Sequence, residues 1–151
     1  MTLKTPCNIR PVRASDFEQW HALWHAYLEF YHTTLPEPVY QSTFDRLLAG
    51  DTGMHGLMAE RDDQAIGLVH YIFHPTCWKI EPVCYLQDLF TLPQARGQGV
   101  ARALIEAVYQ AADAAGVQTV YWLTAENNYL GRMLYDRVGS RTPFIKYTRP
   151  V

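Results

Sequence analysis

Two rhythms of apolar residues divide this chain. Phe17, Trp20, Trp24, Tyr27 and Tyr31 recur three and four apart, which places them on one face of a helix. That helix opens on Ser15-Asp16-Phe17-Glu18, the spacing of a capping box in which the Ser hydroxyl and Glu carboxylate close free amides. It breaks at Leu35-Pro36-Glu37-Pro38. A short strand is expected before it, at Asn8 to Arg13. Val39 to Leu48 reads as a second helix, with Pro38 near its start and Gly50 past its end. Then the period shortens. Met54 to Glu60, Ala65 to Phe73 and Pro82 to Thr91 read as strands rich in β-branched and aromatic residues, with Arg61-Asp62-Asp63-Gln64 as a polar turn. His74 to Ile80 reads as a loop.

The second half alternates strand with helix. Gln98 to Ala115 is amphipathic, with Val100, Leu104, Val108, Ala111 and Ala115 on one stripe and Gly116 as its stop. Val117 to Thr124 reads as a strand. Asn127 and Asn128 suit the start of a helix that ends at Val138-Gly139, and Thr142 to Arg149 reads as a final strand. The crossover from Tyr85 to Thr124 makes those two strands parallel; the others are antiparallel. The pattern predicts an α/β fold with a mixed central sheet of six or seven strands and about four helices.

At 151 residues the chain suits one domain, residues 1–151, with room for a core. Thirteen basic against fifteen acidic residues supply no overall positive field, so a nucleic-acid partner is not expected. No segment reaches the roughly 18 apolar residues of a membrane span. Met1 to Asn8 lacks a signal-like apolar run. Cys7, Cys77 and Cys84, odd in number and not closely paired, read as reduced thiols of a cytoplasmic protein. His21 and His25 stand one helical turn apart but lack a third ligand nearby, so no metal site is expected.

The most informative stretch is Leu89-Phe90-Thr91-Leu92-Pro93-Gln94-Ala95-Arg96-Gly97-Gln98-Gly99-Val100-Ala101. A strand ends, a loop turns, and a helix starts inside a glycine segment. Free amides at a helix start, with the helix dipole, make an anion site. Gly97 and Gly99 carry no side chain to hold a phosphate away. A Walker loop would need a Lys that is absent, and Arg102 stands where a dinucleotide fingerprint needs its third glycine.

Arg96-x-x-Gly99-x-Ala101, after a strand and before a long helix, resembles the pyrophosphate motif of the Gcn5-related N-acetyltransferases. Asn128-x-x-Gly131-x-x-Leu134-Tyr135 is similar to that family's Asn-x-x-Ala-x-x-Leu-Tyr helix. Across the whole length the chain looks most like the fungal Hpa-type members. The resemblance implies that Arg96, Gly97, Gln98, Gly99, Val100 and Ala101 hold the pyrophosphate of acetyl-CoA. It implies that Leu89, Phe90 and Thr91 present main-chain groups to the pantetheine and acetyl carbonyl, and that Asn128 contacts the pantetheine arm. Tyr135 would be the general acid for the leaving thiolate, a role suited to a phenol of pKa about 10. The parallel strand pair would splay around the cofactor. The implied reaction is direct transfer of acetyl to a primary amine in a ternary complex. A non-catalytic acyl-CoA-binding domain is the alternative. Family habit suggests a homodimer through the last strand.

The acceptor side is less specified. Gln87 stands where polyamine-acetylating relatives often carry Glu, and an amide cannot be a general base. Gln87 is expected to orient waters that deprotonate the amine. Strand alternation points Asp88 to the opposite face; Glu29, Glu126 and His74 are other candidates for the base. Trp24, Tyr27, Tyr31 and Trp78 are candidate acceptor contacts, through cation–π attraction or at a gate; for the helical aromatics a plain core stripe is the favoured explanation. Gly131 in place of Ala is expected to weaken its helix by about 1 kcal/mol.

Overall fold

The computed structural model describes residues 6–151; Met1 to Thr5, within the segment read for a signal sequence, lie outside the described residues. The chain builds β1 (Asn8–Pro11), α1 (Phe17–Phe30), α2 (Glu37–Ala49), β2 (Met54–Arg61), β3 (Gln64–His74), β4 (Val83–Thr91), α3 (Val100–Ala114), β5 (Val120–Tyr121) and α4 (Tyr129–Val138). Among the described residues the strands pair in chain order, β1-β2-β3-β4-β5, and only β4 with β5 is parallel. Asp62 and Asp63 both take positive φ, 51° and 60°, which is how a two-residue turn follows the twist of β2 and β3.

Each face of the sheet carries its own core. Trp20, Leu23, Trp24 and Leu28 of α1 and Tyr40, Phe44 and Leu47 of α2 pack on Met58, Leu68 and Phe90. On the other face α3 sets Val100, Leu104, Ile105 and Val108 against Leu57, Val69, Tyr71 and Leu86. The buried stripe of α3 continues through Ala112, in place of the expected Ala111 and Ala115. Burying one such Leu or Ile side chain contributes about 1.5–3 kcal/mol.

Three expectations need correction. The Ser15–Glu18 box does not close the start of α1; instead Asp16 Oδ2 accepts from the Arg13 amide at 2.6 Å, closing the single 3-10 turn Ala14–Asp16 that leads into the helix. Asp16 can do this because Arg10 grips both its oxygens, at 2.7 and 2.8 Å, and holds it in place. Among the described residues the sheet has five strands, not six or seven. The expected Val117–Thr124 strand shrinks to Val120–Tyr121, and Thr142 to Arg149 forms no strand. That last segment has a strand-like composition but no neighbouring strand to complete its hydrogen bonds; Phe144 and Tyr147 stand 82% and 87% exposed.

Candidate active site

The glycine turn delivers an anion cradle. A single 3-10 turn at Pro93–Ala95 follows β4, and α3 begins at Val100 with Gly99 as its cap at φ 83°. The first intrahelical bond runs from the Ala103 amide to the Gly99 carbonyl at 3.0 Å. The amides of Gly99, Val100, Ala101 and Arg102 donate to no group among the described residues. A Cβ built on Gly97 or Gly99 meets nothing within 4 Å, so the space above these amides is open to a ligand. Their φ values, 71° and 83°, are ones that only glycine adopts at no cost. Around the turn, Arg61 Nη1 donates to Gln98 Oε1 at 2.6 Å, and the Arg96 guanidinium lies over the Phe30 and Phe90 rings while its Nε donates to the Thr91 carbonyl at 3.1 Å. Two cations therefore border the cradle, and this donor set fits a pyrophosphate.

From the cradle the sheet opens. β4 and β5 pair only at Cys84–Val120 and Tyr85–Tyr121. From Leu86 onward that edge of β4 has no strand beside it, so its main chain is free to pair with an extended ligand. The opening is walled by Leu86, Gln87 and Leu89 of β4, Trp122 and Leu123 after β5, Ile105 of α3, Tyr135 of α4, and Tyr27 and Tyr31 of α1. Tyr135 packs edge-on against Trp122 with centroids 5.6 Å apart, and burial, with Tyr31 beside it, pushes its phenol above the ordinary value. It therefore keeps its proton throughout the neutral range.

Gln87 lines this opening and Asp88 does not. β3 pairs His70 with Asp88 and Tyr71 with Leu86, so Gln87 is an extra residue, a β-bulge. The bulge re-aims the strand: Leu86 joins the α3 core while Asp88, two residues on, turns toward α1. There Asp88 Oδ2 meets His70 Nδ1 at 2.8 Å and accepts from Trp24 Nε1 at 3.2 Å, and Trp20 Nε1 donates to His70 Nε2 at 2.9 Å. Burial, together with the Asp88 charge, pushes the Tyr27 pKa strongly upward. Sequence reasoning missed this centre because a bulge carries no signature in the residue types here; the fourfold spacing of Trp20 and Trp24 was its only trace.

The other candidates divide. Tyr27 and Tyr31 line the opening, with rings 5.0 Å apart; Trp24 lies behind it as a donor to Asp88. Trp78, 89% exposed, sits in the loop after β3 and lines no part of the opening. Phe90 belongs to the α1 core and Thr91 is buried, so these two reach the site only through main chain. Asn128 is engaged as the cap of α4: its Oδ1 accepts from the Gly131 amide at 3.3 Å, and its Nδ2 donates to Thr124 Oγ1 at 3.0 Å. His21 and His25 bind Glu37 and Tyr40, at 3.0 Å each.

Residues 20–139 match the acetyltransferase (GNAT) family. The chain belongs to that family. It is 36% identical, over 93% of its length and 89% of the relative's, to the D-amino-acid N-acetyltransferase HPA3 of Saccharomyces cerevisiae. It is 27% identical to the uncharacterized N-acetyltransferase YhfO of Bacillus subtilis, over 93% of this chain and 95% of that one. Among solved structures, AAC(6')-Iy in complex with a CoA-linked bisubstrate analogue superposes with a TM-score of 0.85 at 21% identity, covering 97% and 99% of the two chains. The fold is therefore the GNAT fold, and this member is an acetyl-CoA-dependent N-acetyltransferase. No helix is long and apolar enough to cross a membrane among the described residues.

Proposed function

We propose that this single-domain acetyltransferase acetylates the free amine of a small amino-acid-like acceptor, with the α-amine of D-amino acids as the first candidate. The observation that carries the reading is the row of open amides at the start of α3, continuous with the unpaired edge of β4 that leads to Tyr135. The yeast relative, named for D-amino acids, supports the choice of acceptor. Acetyl-CoA brings an activated thioester; the residues of this chain hold and orient it. Arg96 to Ala101 take the diphosphate on amides and border cations. The main chain of Leu89 to Thr91 takes the extended arm. Tyr135 gives its proton to the departing sulfur. Gln87 offers its carboxamide to water or acceptor in the same opening. Burial pushes the Cys84 thiol up to about 11, which leaves it protonated at neutral pH and removes it as a nucleophile. Transfer then runs directly from thioester to amine.

The enzyme is further read as cytoplasmic, with three free thiols, and as a homodimer that uses the C-terminal segment, whose Phe144, Ile145 and Tyr147 are exposed. The purified protein, incubated with acetyl-CoA and a panel of D- and L-amino acids, polyamines and basic peptides, tests the reading by mass spectrometry. One acetyl added to D-amino acids alone is the expected result. Acetylation confined to polyamines or peptides would overturn the acceptor; product from none would overturn the whole reading. Sedimentation at micromolar concentration reads the dimer.

A further inference from the structure

The loop that leads into the open amides of α3 is held by side-chain hydrogen bonds. Gln98 stands between Gly97 and Gly99, at φ 71° and 83°, and a Cβ at either glycine meets no atom within 4 Å. Two glycines give such a segment wide backbone freedom, which a ligand bound on its amides must remove. Arg61, the last residue of β2, supplies a restraint. Its Nη1 donates to Gln98 Oε1 at 2.6 Å, across 37 positions of sequence. Gln98 Nε2 in turn donates to the Gln94 carbonyl at 3.0 Å. The carboxamide is thus used at both ends; turned over, it would set its NH2 group against the guanidinium. A second brace, from Arg96 Nε to the Thr91 carbonyl at 3.1 Å, holds the near end of the loop.

Bracing the loop leaves polar atoms unmet. Among the described residues two buried side-chain polar atoms have no partner, Arg61 Nε and Thr91 Oγ1. Both belong to residues that hold this loop, Arg61 through Gln98 and Thr91 through Arg96. A buried donor without an acceptor disfavours the fold that contains it. Nor does a carboxylate pair with Arg61 among the described residues. The guanidinium is therefore placed for what it does to Gln98 and not for its own satisfaction. A planar fork suits that task, since fewer rotations are lost for each bond it makes than with a Lys.

We propose that Arg61 is a positioning residue of the cofactor site: through Gln98 it fixes the glycine loop in the shape that presents the amides of α3 to the diphosphate of acetyl-CoA. The β2–β3 hairpin then belongs to the cofactor site, although it lies outside the glycine segment. This rests on the acetyltransferase reading of the same cradle. No bond of the substrate is made or broken at Arg61. Its contribution is to binding of the diphosphate, equally in the ground state and the transition state. It belongs in KM for acetyl-CoA and not in kcat at saturation.

The test is a double-mutant cycle of Arg61→Ala and Gln98→Ala, each titrated with CoA by calorimetry. Either single substitution should raise Kd about tenfold, the worth of one charge-assisted hydrogen bond. The double variant should match the weaker-binding single within about twofold, because residues that act through one bond do not add. In turnover, with whichever amine of the panel above is acetylated, Arg61→Ala should raise KM for acetyl-CoA by the same factor and hold kcat within about twofold. With S-acetylpantetheine as donor, which lacks the diphosphate, the loss in kcat/KM should vanish; a general distortion of the fold would lower both. An unchanged Kd in Arg61→Ala, a loss of about a hundredfold in the double variant, or an equal loss with S-acetylpantetheine overturns the proposal. Where Arg61→Ala does not fold, Gln98→Ala decides, and an unchanged Kd there overturns it too. Wild-type protein that binds no CoA would sink the underlying reading; wild type that binds CoA, with Arg61→Ala binding it equally well, would sink this proposal alone.

Discussion

Gly99→Glu separates the anion cradle from the fold that carries it. Gly99 caps α3 at φ 83°, and a Cβ there meets no atom within 4 Å. The chain therefore loses only glycine's ease in the left-handed region, about 1–2 kcal/mol. For a domain of this size that lowers Tm by about 2–8 °C. The ligand loses much more. A carboxylate set about 4 Å from a phosphate costs about 1 kcal/mol in water and about 4 kcal/mol at the effective dielectric near a protein surface. Losing one charge-assisted amide bond adds about 1.5–3 kcal/mol. The sum, about 2.5–7 kcal/mol, raises Kd for CoA by about 70-fold or more. Calorimetric titration with CoA, beside thermal unfolding of the free protein, reads both quantities. A lowered Tm with CoA affinity within twofold of wild type would show that the open amides are not where the phosphates bind. Gly99→Ala is the graded control, with the same backbone cost and no charge.

Further outcomes follow from single contacts. Tyr135→Phe should lower kcat by about 100-fold with CoA affinity unchanged, measured by steady-state turnover and calorimetry; an equal kcat removes the proton donor from the mechanism. Gly131→Ala should not gain the roughly 1 kcal/mol that helix propensity promises, because its Cβ would stand 2.5 Å from Asn128 Nδ2 and displace the cap; urea unfolding that shows that gain contradicts the contact. The Arg10 guanidinium holds the Asp16 carboxyl below its ordinary value. Its folded pKa thus lies below its unfolded one, so Asp16 contributes stability that is present above about pH 4 and lost as pH falls through the folded pKa. Asp16→Asn should accordingly be less stable than wild type at pH 7, with the gap closing below pH 4; a gap independent of pH across an unfolding series would contradict the ion pair.

The amphipathic stripe of α3, the aromatic face of α1 and the glycine turn were legible because each is written in local spacing. So were the strand directions, parallel across the crossover from β4 to β5 and antiparallel elsewhere. What escaped was set by pairing. The extra residue at Gln87 alters no local pattern, yet it turns Asp88 toward α1. Val117 to Thr124 looks like a strand throughout, but the divergence from β4 leaves only two residues paired. Asn128, read from the sequence as a start of α4, does cap that helix. Gly131 looked like a packing detail; it is the residue whose missing Cβ lets that cap close.

The division of the core between the two sheet faces also sets an order of assembly. Every side chain in the cluster of α1 and α2 lies between Val12 and Leu92, whereas the opposite cluster draws on residues as late as Val138. A nascent chain can thus complete one entire hydrophobic face, with the tryptophans, His70 and Asp88 already in place, before α3 has been synthesised. Two of its strand pairings, β2 with β3 and β3 with β4, join strands that follow one another directly in the chain. β5 and α3 dock afterwards onto a platform that exists.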